Sequence, residues 1–111
     1  MESKTALVYY NGIKAGVLQN TPAGYVFEYD KQYAASPGAR PVSLAMPLAQ
    51  KRFEAPKLFP FFEGLLPEGW LLDITSKALK IDKQDQFELL LHIGKDTIGA
   101  VSIVPEEELK Q

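Results

Sequence analysis

The residue types in this 111-residue chain that are capable of catalysis are few and scattered. His92 is the only histidine and cysteine is absent, which excludes an imidazole triad, a His-rich metal site and thiolate chemistry. Because it follows a run of leucines, His92 is typical of a partly packed or capping residue on a helix. These residues therefore argue against catalysis by this chain alone.

The acidic residues have structural explanations as well. Either Asp82 or Asp85 is expected to cap the N-terminus of the helix-like segment that follows them. Asp96 lies between Gly94 and Gly99, where it is expected to order a turn. The segment lacks the Gly-Lys-Ser/Thr sequence of a phosphate-binding loop. We therefore expect neither an acid–base pair nor a nucleotide site here.

Phosphoryl transfer would require a catalytic Asp followed at short spacing by a metal-binding Asn. The only asparagines are Asn11 and Asn20, and both lie in turn-like segments near the N-terminus. The sequence therefore predicts that the chain is not an enzyme and that it needs no cofactor and no metal.

Trp70 suggests binding rather than catalysis. Tryptophan is enriched among the residues that dominate protein interfaces, because it buries a large area at little entropic cost. Two interpretations remain open: a boundary residue that caps the core, or an exposed anchor, which Pro67 and Gly69 favour slightly. The candidate partner-binding residues are Leu65, Leu66, Pro67, Glu68, Gly69 and Trp70.

Composition and charge limit the classes of protein. An apolar share of 46% is sufficient for one folded domain. The net charge of -2, from 12 basic and 14 acidic residues, argues against direct nucleic-acid binding. No secretion signal and no apolar run long enough to span a membrane is visible, so we expect a cytoplasmic location and no membrane partner.

The first half of the sequence predicts an antiparallel β-meander. Asn11-Gly12 is typical of a tight hairpin turn, and prolines bound the last candidate strand on both sides. The predicted strands are 5–10, 13–19, 25–29 and 42–46.

The second half predicts short helices and a closing strand. The helices span 61–65, a segment that begins at Pro67 and one that ends near His92 before Gly94. In the middle helix, apolar residues recur at helical spacing. These residues are Leu71, Ile74, Ala78 and Ile81, with Leu72 and Leu79 widening the stripe. With a strand at 97–104, the prediction is a single α+β domain over 1–105 and a polar tail over 106–111.

Several segments together resemble the N-terminal subdomain of the HipA-type serine/threonine kinases of bacterial toxin–antitoxin systems. They are Val8–Gly12, Phe27–Asp30, Arg40–Leu48, Phe59–Trp70, Asp85–Leu90 and Gly94–Val101. Of these, Pro67-Glu68-Gly69 is the most specific short element. The resemblance covers nearly the whole chain, and the catalytic domain that follows in such kinases is absent from this sequence.

The resemblance implies a role in a toxin–antitoxin system. In split, tripartite operons the free-standing subdomain, of the HipS type, is the antitoxin of a HipT-like kinase. We expect the same here, because the sequence begins at Met1 and ends shortly after the subdomain. A helix-turn-helix protein of the HipB type is a further expected partner. The alternatives are a non-inhibitory module that bridges kinase and repressor, and a fragment of a longer kinase.

Overall fold

A five-stranded antiparallel sheet, in the order β4-β3-β2-β1-β5, organises the chain and confirms the predicted α+β class. The computed structural model describes residues 4–97 and 99–106. The strands are β1 (Lys4–Tyr10), β2 (Ile13–Thr21), β3 (Gly24–Tyr29), β4 (Arg52–Ala55) and β5 (Val101–Pro105). The helices are α1 (Lys31–Ala35), α2 (Pro60–Glu63), α3 (Gly69–Leu79) and α4 (Gln86–Ile93). Among the residues described, no helix is long and apolar enough to cross a membrane.

The predicted N-terminal hairpin is confirmed. Asn11 and Gly12 both have positive φ angles, 50° and 81°, as a two-residue turn between twisted strands requires. β1 then pairs with β2, with Leu7 opposite Val17, and β5 joins the other side of β1. The chain therefore returns to its first strand to complete the sheet.

The predicted strand at 42–46 is wrong, because this segment is a series of turns. The Tyr29 hydroxyl accepts a hydrogen bond from the Val42 amide at 3.0 Å and donates one to the Met46 carbonyl. The Tyr29 side chain thus forms hydrogen bonds with two backbone groups that would otherwise be available to pair with a neighbouring strand. Burial raises the pKa of Tyr29. The fourth strand lies further along, at Arg52–Ala55.

Aromatic and aliphatic side chains fill the core between the sheet and the helices. The Phe27 ring on β3 lies 5.6 Å, centroid to centroid, from the Phe62 ring on α2. The largest fully buried side chains are Phe27, Phe62, Phe87, Leu18, Leu89, Leu90, Ile103 and Val8. No polar or charged residue is buried in the part of the chain that the structure describes.

The segment around α2 is anchored in this core. Phe59, Phe62 and Leu66 are all buried. The helix predicted at 61–65 is α2, shifted slightly toward the N-terminus. The chain therefore arrives at the start of α3 from a fixed point on the sheet.

The prediction that Pro67 is the first residue of the next helix is wrong, because α3 begins at Gly69 with Glu68 as its N-cap. Glu68 is extended, with φ −122° and ψ 164°, and Gly69 has a φ of +58°. With these two conformations, the backbone between Pro67 and the helix is not helical, so Pro67 cannot belong to α3. Glycine adopts the second one at lower cost than a residue with a β-carbon.

The N-terminus of α4 is capped by Asp85, one of the two residues predicted as its cap. The Asp85 carboxylate accepts the Glu88 amide at the N-terminus of α4, while Asp82 accepts the Gln84 amide in the preceding turn. α4 ends at Gly94, as predicted, but close packing rather than a positive φ requires glycine there. A β-carbon on Gly94 would lie 2.6 Å from Cβ of Ile103.

The closing strand is shorter than predicted, since β5 spans Val101–Pro105 rather than 97–104. The Thr97 hydroxyl donates a hydrogen bond to the Val101 carbonyl instead of entering the sheet. Nearly all of the predicted polar tail, together with Ile98, lies outside the described residues, as does the side chain of Asp96.

Phe62→Ala should lower the free energy of unfolding by about 3–5 kcal/mol, because it empties a fully buried ring site. Phe61→Ala, the same change one residue earlier on α2, should cost clearly less, because Phe61 is only partly buried. Urea unfolding followed by circular dichroism measures both variants. Equal losses would contradict the anchoring role of Phe62.

Candidate interaction surface

Helix α3 buries none of its 11 residues, unlike α2 and α4. Its contact with the body of the protein is made by Leu72, which is partly buried against the core, and by Ile81 just beyond the helix. The helix is therefore held along one side only.

The side of α3 that faces solvent is apolar. Trp70 is 72% exposed, Ile74 54% and Leu71 48%, and Ala78 is exposed as well. At 100° per residue, Trp70, Ile74, Ala78 and Leu71 fall within one sector of about 100°, opposite Leu72. We call these four residues the α3 face. Their spacing of three, four and seven residues is that of helices that bind in protein grooves.

This arrangement decides between the two interpretations of Trp70: the side chain does not cap the core but projects outward. It also corrects the interpretation of the helical stripe. Leu72 and Ile81 do contact the core, whereas Leu71, Ile74 and Ala78 point away from it. The apolar residues of α3 thus form two faces. One packs on the core, and the other is exposed to solvent in the described protein.

The C-terminal end of α3 is fixed by polar contacts. The Lys83 ammonium lies 3.0 Å from the Asp73 carboxylate, and the Ser76 hydroxyl donates to the Ile81 carbonyl. Lys80 adopts the left-handed conformation, with a φ of 58°, and closes the helix. The Ser76 bond and the left-handed Lys80 define where α3 ends, whereas the exposed Asp73–Lys83 pair adds little stability.

The other predicted binding residues divide into two groups. Leu66 is buried in the core and Leu65 and Pro67 are partly buried, so they form the support of the turn. Glu68 and Gly69 are exposed beside Trp70. Sequence reasoning did not name Leu71, Ile74 and Ala78 as binding residues. One signal in the sequence could have identified them. The apolar residues of α3 cover more of the helix surface than a single contact with the core requires.

The α3 face differs from the other exposed apolar positions. Ile13, 62% exposed, is at the start of β2, and Leu44, 96% exposed, is in the proline-bounded loop. Single exposed hydrophobic residues are common on protein surfaces and need no explanation. Four on one side of one helix are unusual and mark an interaction surface.

The candidates for chemistry are not brought together. His92 is exposed, with Nδ1 2.9 Å from the Glu88 carbonyl oxygen of its own helix. In residues 4–97 and 99–106, no group of three His, Cys, Asp or Glu side chains is placed to hold a metal ion.

Trp70 is the only tryptophan, so its fluorescence reports on the α3 face directly. We expect emission close to that of tryptophan in water, and a change in the free energy of unfolding within about 0.5 kcal/mol for Trp70→Ala. Fluorescence spectra and urea unfolding measure the two quantities. Blue-shifted emission together with a loss of several kcal/mol would instead place Trp70 in the core.

Comparison with known proteins agrees with this architecture. The family described as the HipA N-terminal domain matches residues 6–104. An uncharacterized protein of Haemophilus influenzae is 34% identical over 105 residues, which are 95% of this chain and 95% of that protein. A Sinorhizobium fredii protein described as a candidate kinase is 29% identical over 102 residues, and the chain spans only 24% of its length.

Two solved structures are similar in fold. One, described as the N-terminal domain of HipA toxin, has a TM-score of 0.74 and 34% identity, covering 95% of this chain and 94% of that one. The other contains HipA, HipB and operator DNA of Shewanella oneidensis, with a TM-score of 0.73 and 26% identity. The match covers 91% of this chain and 24% of that one. The chain therefore belongs to the HipA N-terminal domain family, which links it to HipA-type toxin–antitoxin systems.

Proposed function

We propose that this protein acts as an antitoxin that binds a HipT-like serine/threonine kinase and inhibits it through the α3 face. The observation that carries the proposal is the apolar side of α3, with Trp70 72% exposed, held on a helix that buries no residue. Such a surface is stabilised when a partner covers it.

The comparisons support a kinase as the partner. The chain spans 24% of the kinase-like relative and 24% of the Shewanella HipA chain, so those proteins carry other regions that this sequence does not match. The Haemophilus relative has a length close to that of this chain. A separate N-terminal domain that binds a kinase body accounts for both observations, and a cytoplasmic location would follow from such a partner.

Binding by the α3 face would follow the helix-in-groove mode. Trp70 would enter a pocket, with Leu71 and Ile74 covering the apolar edge of the groove and Ala78 allowing close approach. Leu65, Leu66 and Pro67 would not contact the kinase directly but would hold the turn before α3 in position. Inhibition would then result either from blocking the nucleotide site or from holding the kinase in an inactive shape. Competition with a nucleotide analogue separates these two modes.

Trp70→Ala should weaken binding to the HipA-type kinase encoded nearest to this gene by about 2–4 kcal/mol, because a large buried anchor is lost. The same substitution at Ile13, which is 62% exposed on the hairpin, is the matched control and should leave affinity unchanged. Calorimetric titration gives the affinity, and phosphorylation of a substrate gives the inhibition. Equal affinities for the two variants would remove Trp70 from the mechanism.

A second candidate function is favoured by one comparison, the similar structure that contains HipA, HipB and operator DNA. In this alternative the chain bridges the kinase and a HipB-like helix-turn-helix repressor without inhibiting the kinase. The net charge of -2 argues against its own contact with DNA.

The two functions differ in what the chain changes. Under the antitoxin proposal, near-equimolar chain abolishes phosphorylation, and operator affinity of the repressor–kinase complex changes little. Under the bridging alternative, phosphorylation persists and operator binding strengthens when the chain is added. A kinase assay and an electrophoretic mobility shift assay on the same complex distinguish them. Trp70→Ala serves as the control in both.

A further inference from the structure

The charged residues next to the α3 face are separated by sign. At the N-terminal end, Glu63 and Glu68 are exposed, and at the C-terminal end Lys77 and Lys80 are exposed. Glu68, Lys77 and Lys80 form no ion pair with any described residue. The N-terminal end therefore carries two carboxylates, and the C-terminal end carries two ammonium groups with the exposed Asp82 just beyond them.

A cleft of about 370 Å³ next to the start of α3 strengthens this polarity. Glu63 and Glu68 line it, together with Lys83, Gln86 and Leu72, so it lies on the core side of α3, next to the α3 face and not on it. The charge of Lys83 is offset by Asp73 at 3.0 Å, while Gln86 donates to Glu63 at 2.7 Å without changing its charge. The remaining charge of the cleft is negative, which suits a basic side chain of a partner.

The side-chain charges outweigh the helix dipole, which has the opposite sense. The dipole contributes about half a positive charge at the N-terminus and half a negative charge at the C-terminus. Two carboxylates and two ammonium groups exceed these at their respective ends. Glu68 and Lys77 are about 14 Å apart along the axis, beyond the ~8 Å screening length at physiological salt, so a partner senses each end separately.

We infer that the groove that receives the α3 face has a matching polarity: an apolar floor, basic groups facing Glu63 and Glu68, and acidic groups facing Lys77 and Lys80. This inference rests on the proposed function, since it takes the kinase as the partner. The apolar contacts would give the affinity, and the charges would set the direction in which α3 lies in the groove. If α3 lay in the groove in the opposite direction, like charges would face each other at both ends, which disfavours that orientation.

The test is a charge swap that leaves the net charge of -2 unchanged, Glu68→Lys with Lys77→Glu. Glu68 makes no side-chain capping bond, so the swap removes no hydrogen bond from α3. The control is Lys31→Glu with Glu54→Lys, a swap of exposed residues on α1 and β4 that also removes the 2.9 Å ion pair of Glu54 with Arg52. Surface plasmon resonance with the kinase gives association rates for wild type, swap and control.

We expect the swap to slow association about tenfold at low salt, with the control unaffected. The difference should disappear in 1 M salt, where the screening length is about 3 Å. Trp70 fluorescence and the melting temperature of the free variant report whether α3 is intact. If the swap disturbs α3, Glu68→Gln with Lys77→Gln should show a smaller loss in the same direction.

The outcomes separate this inference from the proposed function. Unchanged association of an intact swap variant, with kinase inhibition retained, would overturn the polarity and leave the antitoxin proposal standing. Equal slowing by the control swap would also overturn it, because the effect would then be general. Absence of binding by the wild-type chain would overturn the proposed function itself.

Discussion

The structure depends on the burial of Phe59, Phe62 and Leu66 against the sheet. Phe62 is fully buried and packs on Phe27 with ring centroids 5.6 Å apart, so the segment before α3 cannot move without opening the core. Burial of such side chains contributes about 1.5–3 kcal/mol each. Because α3 follows this anchored segment through an extended Glu68, its position is set by the core although the helix itself is outside it.

An amphipathic helix with its apolar side in water carries a cost in the free protein. Each square ångström of exposed apolar surface forgoes roughly 25 cal/mol of stabilisation, which becomes available only when a partner covers it. The packing of Leu72 on the core and the bond from the Ser76 hydroxyl to the Ile81 carbonyl position the helix before binding. A preorganised helix of this kind suits tight association.

The N-terminal hairpin and the ends of α4 could be predicted because local chemistry determines them. Asn11 and Gly12 specify the hairpin turn, and Asp85 and Gly94 mark the ends of α4. The segment at 42–46 could not be predicted, because Tyr29, distant in sequence, takes its backbone groups. The exposure of the α3 face could not be predicted either. Periodicity shows which residues share a side of a helix, but not whether that side contacts the core.

Hydrogen–deuterium exchange of the protein, free and bound to the HipA-type kinase, shows whether the kinase covers α3. We expect slowed amide exchange on binding across Gly69–Leu79 and in the turn before it, with the β1–β2 hairpin unchanged. Protection confined to the hairpin or to the loop around Leu44, with α3 exchanging as in the free protein, would contradict it.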